Sequence, residues 1–199
     1  MQDAIANDTT GRSPSWLPWA ITAGLLAVTA GVLHLMGRVW WCQANDEGGE
    51  AFLWAGDIWT AHNSQHLVDP YTFSHVLHGV VFAWVFYWIK PLRKQPFAWQ
   101  LIPATIIEAA WEIFENTPLI INRYREATMA LGYSGDSIGN SLGDLGSAFA
   151  FRVRWYWSVA FFIATEIAML IMIRDNLTLN VVMLLYPIDA VREWQSMGM

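Results

Sequence analysis

Apolar runs close to the roughly 20 residues that a helix needs to cross a hydrocarbon core recur along this chain and constrain its fold more than any other feature. The first runs from Trp16 to about Met36 without a formal charge. The second covers about Tyr71 to Ile89, with His75 and His78 in its first turns. The third, about Phe97 to Glu115, is rich in Ile and Ala but carries Glu108 and Glu112. A later run, about Trp155 to Ile173, is interrupted by Glu166. Between these, Tyr133 to Phe151 holds Asp136, Asn140 and Asp144, so hydropathy alone would pass over it. Gly135, Gly139 and Gly143 recur there at every fourth position, a spacing that lets helix backbones approach closely inside a bilayer. This stretch is read as a fourth helix buried among the others, with a re-entrant loop as the competing reading. Composition agrees with a membrane chain: 55% hydrophobic, 14% charged and 13 tryptophans, where a soluble domain carries about a quarter charged residues.

The expected fold is therefore all-α, a polytopic membrane bundle of about five transmembrane helices. Lys90, Arg93 and Lys94 crowd the link after the second run, and Arg152 and Arg154 the link after the fourth. The positive-inside rule makes both links cytoplasmic, in agreement with Arg12. The amino terminus is then cytoplasmic and the carboxyl terminus periplasmic, in a bacterial inner (plasma) membrane. Residues 1–15 form a cytoplasmic tail, 16–175 the five-helix domain with an outer loop at 38–70, and 176–199 an interfacial carboxyl-terminal segment. The first run is long for a cleaved signal and lacks a basic start, so it is read as a retained anchor. Trp16, Trp19, Trp40, Trp41, Trp84, Trp88, Trp99 and Trp155 fall mostly near helix ends, where aromatic belts sit. A net charge of −6 without a basic stripe excludes nucleic acid as a partner. Cys42, alone in the sequence, allows neither an internal disulfide nor a cysteine metal cluster.

Alternating helix directions bring the ionisable residues to one leaflet. His75 and His78 lie in the outer turns of the second helix. Glu112, Glu115 and Asn116 end the third at the same side, with Glu108 one turn deeper, and Asp136, Asn140 and Asp144 follow on the fourth. Within each set the spacing of three or four keeps the side chains on one helix face. His34 and Glu166 are expected at similar depth. A charge at mid-bilayer costs at least about 2.5 kcal/mol, so these groups must share partners, protons or a metal ion. Three arrangements compete. In one, His75, His78, Glu112 and Glu115 hold one divalent metal ion, which lowers the pKa of bound water and polarises a phosphoryl or acyl group. In another, the carboxylates and histidines act as general acid and base without metal. In the last, the groups satisfy one another as a structural core.

Other polar residues receive plainer readings. Asp69-Pro70-Tyr71 is a turn into the second helix. His62 and His66 are read as surface residues, with a cover over the cavity mouth as the alternative. Arg123 and Arg125 either grip an anionic head group or sit in a solvated loop. Residues 177–186 are too short to span and are assigned to the outer interface. No phosphate loop or nucleophile elbow is present.

The stretches Ser64-Gln65-His66-Leu67-Val68-Asp69-Pro70-Tyr71-Thr72-Phe73-Ser74-His75, Trp111-Glu112-Ile113-Phe114-Glu115-Asn116 and Tyr133-Ser134-Gly135-Asp136-Ser137-Ile138-Gly139-Asn140-Ser141-Leu142-Gly143-Asp144 resemble an uncharacterised family of alphaproteobacterial inner-membrane proteins. The resemblance runs from about residue 38 to 175 and implies a location but no activity. More distantly, the order His75 or His78, Glu112, then Asp136, Asn140 and Gly143 is similar to VanZ-like membrane proteins, associated with glycopeptide resistance. Glu115, Asp144 and the paired histidines depart from that pattern.

Together these features predict an integral membrane protein that acts on a lipid or lipid-linked head group at the outer leaflet, with membrane lipids as partners. Glu108, Glu112, Asp136, Asn140 and Asp144 are the candidate catalytic groups, with Glu108 supporting the others. The alternative is a non-enzymatic accessory or lipid-binding protein whose polar core fixes helix packing. A proton-coupled transporter ranks last, because the inner helix halves are apolar.

Overall fold

The structure, a computed structural model, describes residues 13–43, 53–127, 133–148 and 155–197. Among these the chain is helical, with a single isolated parallel bridge between Trp54 and Val68. The expected amino-terminal tail up to Arg12, the Arg152–Arg154 link and parts of the outer loop lie outside the described residues. In chain order the helices are α1 (Leu17–Leu35), α2 (Thr72–Trp88), α3 (Lys90–Arg93), α4 (Phe97–Glu115), α5 (Pro118–Ala127), α6 (Ile138–Ser147), α7 (Trp155–Ile173), α8 (Leu177–Leu185) and α9 (Asp189–Ser196).

Local sequence sets the ends. Gly37, at φ +84°, closes α1. Its N–H donates to His34 O at 2.9 Å, and the Arg38 N–H reaches back to Leu33 O at 3.0 Å, the paired bonds of a glycine-terminated helix. α2 begins where Asp69 Oδ1 accepts the N–H groups of Tyr71 (2.7 Å) and Thr72 (3.2 Å), so the expected turn is a carboxylate cap. α6 starts at Ser137, whose Oγ accepts the Asn140 N–H at 3.0 Å. At α8 the cap is doubled: Asn176 Oδ1 takes the Leu179 N–H, while both oxygens of Glu166 take those of Leu177 and Thr178.

Specific contacts give the direction of each long helix. Ala30 and Leu33, late in α1, pack with Ile113, late in α4, and with Ile138, so α1 and α4 run the same way. Ser158 Oγ accepts from Trp84 Nε1 at 2.9 Å, and Ser74 Oγ meets Met169 Sδ at 3.8 Å; α7 is thus antiparallel to α2. At the end shared by the α2 start and the α4 finish, α5 and α8 lie together: Ile120, Ile121, Tyr124 and Tyr133 form a cluster capped by Leu184.

Two helical stretches, Leu17–Leu35 and Tyr156–Ile173, are long and apolar enough to cross a membrane. α2 has 17 residues. The expected fourth spanning helix takes a different form in the structure. Its described part is ten residues long, about 15 Å, and remains at the α2 start, where Ser147 Oγ donates to Thr72 O at 3.4 Å. Residues 133–137 precede it without regular secondary structure, because the Ser137 cap and Gly135, at φ +91°, delay the helix. The loop expected at 116–132 contains α5, a helix whose buried face of Ile120, Ile121 and Tyr124 is masked in sequence by Asn122, Arg123 and Arg125.

Candidate functional site

A cavity of about 250 Å³ opens where α2, α4 and α6 meet, and its walls include His75, His78, Glu108, Glu115, Asp136, Asn140 and Asp144. Glu112, 1% exposed, lies beside it. Seven of the eight predicted residues therefore line one chamber, and the eighth contacts His75.

Each position follows from helix geometry. His75 and His78 share a face of the first turns of α2, and both direct Nδ1 at one oxygen of Glu108, at 2.6 and 2.9 Å. Glu112, one turn further along α4, brings Oε1 to 3.3 Å from His75 Nδ1. The opposite ring nitrogen, His75 Nε2, faces Asp144 Oδ2 at 3.7 Å. His75 thus joins three carboxylates from two helices. Ligand atoms lie within 4.8 Å of one another in two groups here: His75, His78 and Glu108, and His75, Glu112 and Asp144. These groups alter the expected ligand set. Glu108 sits between both histidines, where only a supporting position was expected, and Asp144 rather than Glu115 completes the second group. The reason is distance along the helix: Glu115 shares the face of Glu108 but lies seven residues on, about 10 Å further along the axis of α4.

Five buried carboxylate oxygens take no hydrogen bond: Glu108 Oε2, both oxygens of Glu112, Glu115 Oε2 and Asp144 Oδ1. Buried polar atoms are ordinarily satisfied, and four carboxyl groups face two imidazoles in this part of the cavity. A divalent cation fits that donor set, as do shared protons.

The other half of the site is joined by direct hydrogen bonds. Asp136 Oδ2 accepts from Asn116 Nδ2 at 2.8 Å and Oδ1 from the Tyr133 hydroxyl at 2.9 Å, while the Asp136 N–H donates to Asn116 Oδ1 at 2.8 Å. Asn140 Nδ2 donates to His66 O at 2.8 Å and to Asp69 Oδ2 at 3.3 Å. Burial pushes the Asp69 carboxyl up to about 6, with the charge of Asp136 adding to the effect and the capped N–H groups of Tyr71 and Thr72 opposing it.

His34 and Glu166, expected at similar depth, take roles outside the cavity: His34 is exposed and pairs with Trp40, ring centroids 6.0 Å apart, and Glu166 caps α8. Two other expectations are corrected. Arg123 and Arg125 donate to the backbone oxygens of Leu184 and Tyr133, at 2.8 and 2.6 Å, and so bind α5 to its neighbours rather than reaching for a head group. His66, read as a surface residue, is fully buried: the loop around it docks on α6 through Ser137 N to Ser64 O (2.9 Å) and Gln65 Nε2 to Gly135 O (2.8 Å).

A family model described as "Protein of unknown function (DUF2585)" matches residues 33–197. A UPF0314 protein of Agrobacterium fabrum is 46% identical over 197 residues, covering 96% of both chains. The chain belongs to this UPF0314 family. Other UPF0314 relatives come from Sphingopyxis alaskensis, 46% identical with 90% of this chain and 95% of the relative covered, and Rhizobium meliloti, 45% identical with 96% and 95% covered. The motifs that carried the sequence resemblance, at 64–75, 111–116 and 133–144, all fall within the matched span. None of these UPF0314 matches is described as VanZ-like. No solved structure matches the chain.

Residues that the sequence gives no site role, yet that hold the site in place, are Asp69, Asn116, Tyr133 and Thr72. Their signal in the sequence is weak, because the hydrogen bonds of caps and loops follow no helical period. Asp69-Pro70 was noticed as a turn, yet the second carboxylate oxygen, which accepts the Ser64 N–H at 3.1 Å, could not be inferred from it.

Proposed function

We propose that this chain is an integral inner-membrane protein whose His75, His78, Glu108, Glu112 and Asp144 bind one divalent cation, used on a lipid or lipid-linked head group at the outer leaflet. The observation that carries this reading is the convergence of four carboxyl groups and two imidazoles with five buried carboxylate oxygens unbonded. A bound divalent ion would polarise a phosphoryl or acyl oxygen and acidify a water. Imidazole and carboxylate ligands suit zinc, manganese or iron. The cavity wall supports a lipid substrate: Phe82, Ile107 and Trp111 line it, and Ile107 is 46% exposed, so an apolar chain can lie along this side while its head enters.

Exposure along the long helices supports the membrane setting. Only about a quarter of each apolar stretch is buried, 28% for Leu17–Leu35 and 22% for Tyr156–Ile173, whereas the core helix of a soluble protein would be mostly covered. Leu35, Ile171 and Met172 are 87%, 77% and 66% exposed. The site lies at the end of α2 and α4 remote from Lys90, Arg93 and Lys94, as an outward-facing pocket with a cytoplasmic basic link requires.

Elemental analysis of detergent-purified protein, followed by Mn²⁺ and Zn²⁺ titration, tests the reading. One equivalent should be lost in Glu112→Gln and in His75→Ala while the folded protein is still recovered. Binding unchanged in both folded variants would remove the cation and leave acid–base chemistry. A non-enzymatic role is favoured by one observation alone, the direct hydrogen bonds that join Asp136 to Asn116 and Asn140 to Asp69. It predicts that Glu112→Leu folds and sustains whatever cellular phenotype the gene carries, while Asn116→Leu does not assemble.

A further inference from the structure

A second cluster of metal-ligating side chains lies outside the carboxylate cavity. Cys42, just beyond α1, places Sγ 3.3 Å from His62 Nδ1. The same Nδ1 lies 3.0 Å from His66 Nε2. All three atoms fall within 4.8 Å of one another, with Cys42 and His66 buried and His62 half-buried. An imidazole nitrogen carries either one proton or one lone pair, so it makes one well-directed hydrogen bond. His62 Nδ1 is pointed at two such partners. A cation that accepts a lone pair from each atom satisfies all three at once.

Distances favour the same conclusion. Zinc bonds of about 2.0–2.1 Å to nitrogen and about 2.3 Å to sulfur set tetrahedral ligand atoms about 3.3–3.6 Å apart. The observed 3.3 and 3.0 Å need adjustments of a few tenths of an ångström. Two nitrogens and a thiolate select thiophilic transition metals over magnesium or calcium.

We propose that Cys42, His62 and His66 form a metal site of their own, taking a thiophilic transition-metal ion of the zinc(II) class. It clips the end of α1 to the loop that docks on α6. Ser64 and Gln65, within that loop, receive or donate the bonds to Ser137 and Gly135, and Asn63 and Ser64 line the cavity. The clip therefore fixes one wall of the carboxylate site without contributing a ligand to it.

Because the sequence has one cysteine, any thiolate-to-metal absorption must come from Cys42. Detergent-purified full-length protein is titrated with Co²⁺ and followed in the near ultraviolet. A thiolate-to-cobalt charge-transfer band should saturate at one equivalent, vanish in Cys42→Ser, weaken at least tenfold in affinity in His62→Ala, and survive in Glu112→Gln. Zn²⁺ should also slow alkylation of wild-type Cys42 at least tenfold, a readout that needs no variant to fold. No charge-transfer band at saturating Co²⁺, or alkylation unaffected by Zn²⁺, overturns the proposal. A band that persists when Glu112→Gln changes no metal binding would sink the carboxylate reading and leave this site standing.

Discussion

A single methyl group separates two glycines of the same helix. A Cβ on Gly143 would strike the backbone oxygen of Leu67, whereas on Gly146 it would meet nothing within 4 Å. Gly143→Ala should therefore cost about 1–3 kcal/mol through forced displacement of the docked loop. Gly146→Ala should be neutral or stabilise by up to about 1 kcal/mol through helix propensity. Chemical denaturation of the two variants in the same detergent checks the contrast, and equal effects would refute it. Gly139 obeys the same logic, with the Trp41 ring 2.7 Å from its would-be Cβ. The stripe of small residues was legible in the sequence, but its use was not: these glycines admit loop residues 40, 41 and 67 rather than a second helix.

Asp175 gives a pH signature at the same scale. Burial raises its carboxyl from 3.8 to about 6, against the bonds from Asn176, Asn180 and Tyr71. The folded protein thus holds this proton more tightly than the unfolded chain. Its contribution is fully present below about pH 3.8 and is lost as pH rises through about 6. The change amounts to about 3 kcal/mol at most, at 1.36 kcal/mol for each unit. Asp175→Asn should flatten the fall in melting temperature between pH 4 and 7, as followed by circular dichroism. An unchanged slope would mean another group sets it.

Among the elements, α6 is held from outside its own sequence. Ser137 Oγ accepts the Asn140 N–H and donates to Gln65 O at 3.1 Å, so one hydroxyl joins the helix start to the loop. Ser137→Ala should destabilise by about 1–2 kcal/mol through the lost cap, with Ser137→Thr recovering most of it. Full stability in Ser137→Ala, measured by unfolding in detergent, would show that the loop docks without the cap. Helix existence at α1, α2, α4 and α7 was readable because each is long and mostly apolar. The meeting of His75, Glu108, Glu112 and Asp144 was readable too, since spacings of three and four put them on shared faces. α5 was not, because Asn122, Arg123 and Arg125 interrupt its period while the two arginines tie neighbouring backbone. Nor was the burial of His66, which depends on contacts across about seventy residues with no local pattern.

Whole-molecule topology turns on how the chain passes between the two ends of the helices. The α4 finish, the α2 start, α5 and α8 share one end, as the Leu184 contacts of Tyr124 and Arg123 require. Lys94, just after α3, lies at the other. α7 enters from that far end, since Ser158 pairs with Trp84 and Met169 with Ser74. Ser147 stays beside Thr72, at the α2 start. If the helices stand across a bilayer, Lys94 and Leu185 face opposite compartments. In a Cys42→Ser background, Leu185→Cys should react with an impermeant maleimide once the outer membrane is opened, and Lys94→Cys only after the inner membrane is also opened. Both positions are exposed, so burial does not confound the comparison. Labelling of both from one side would contradict an upright bundle and place the long helices along the membrane surface, where a carboxylate cavity could no longer be assigned to the outer leaflet.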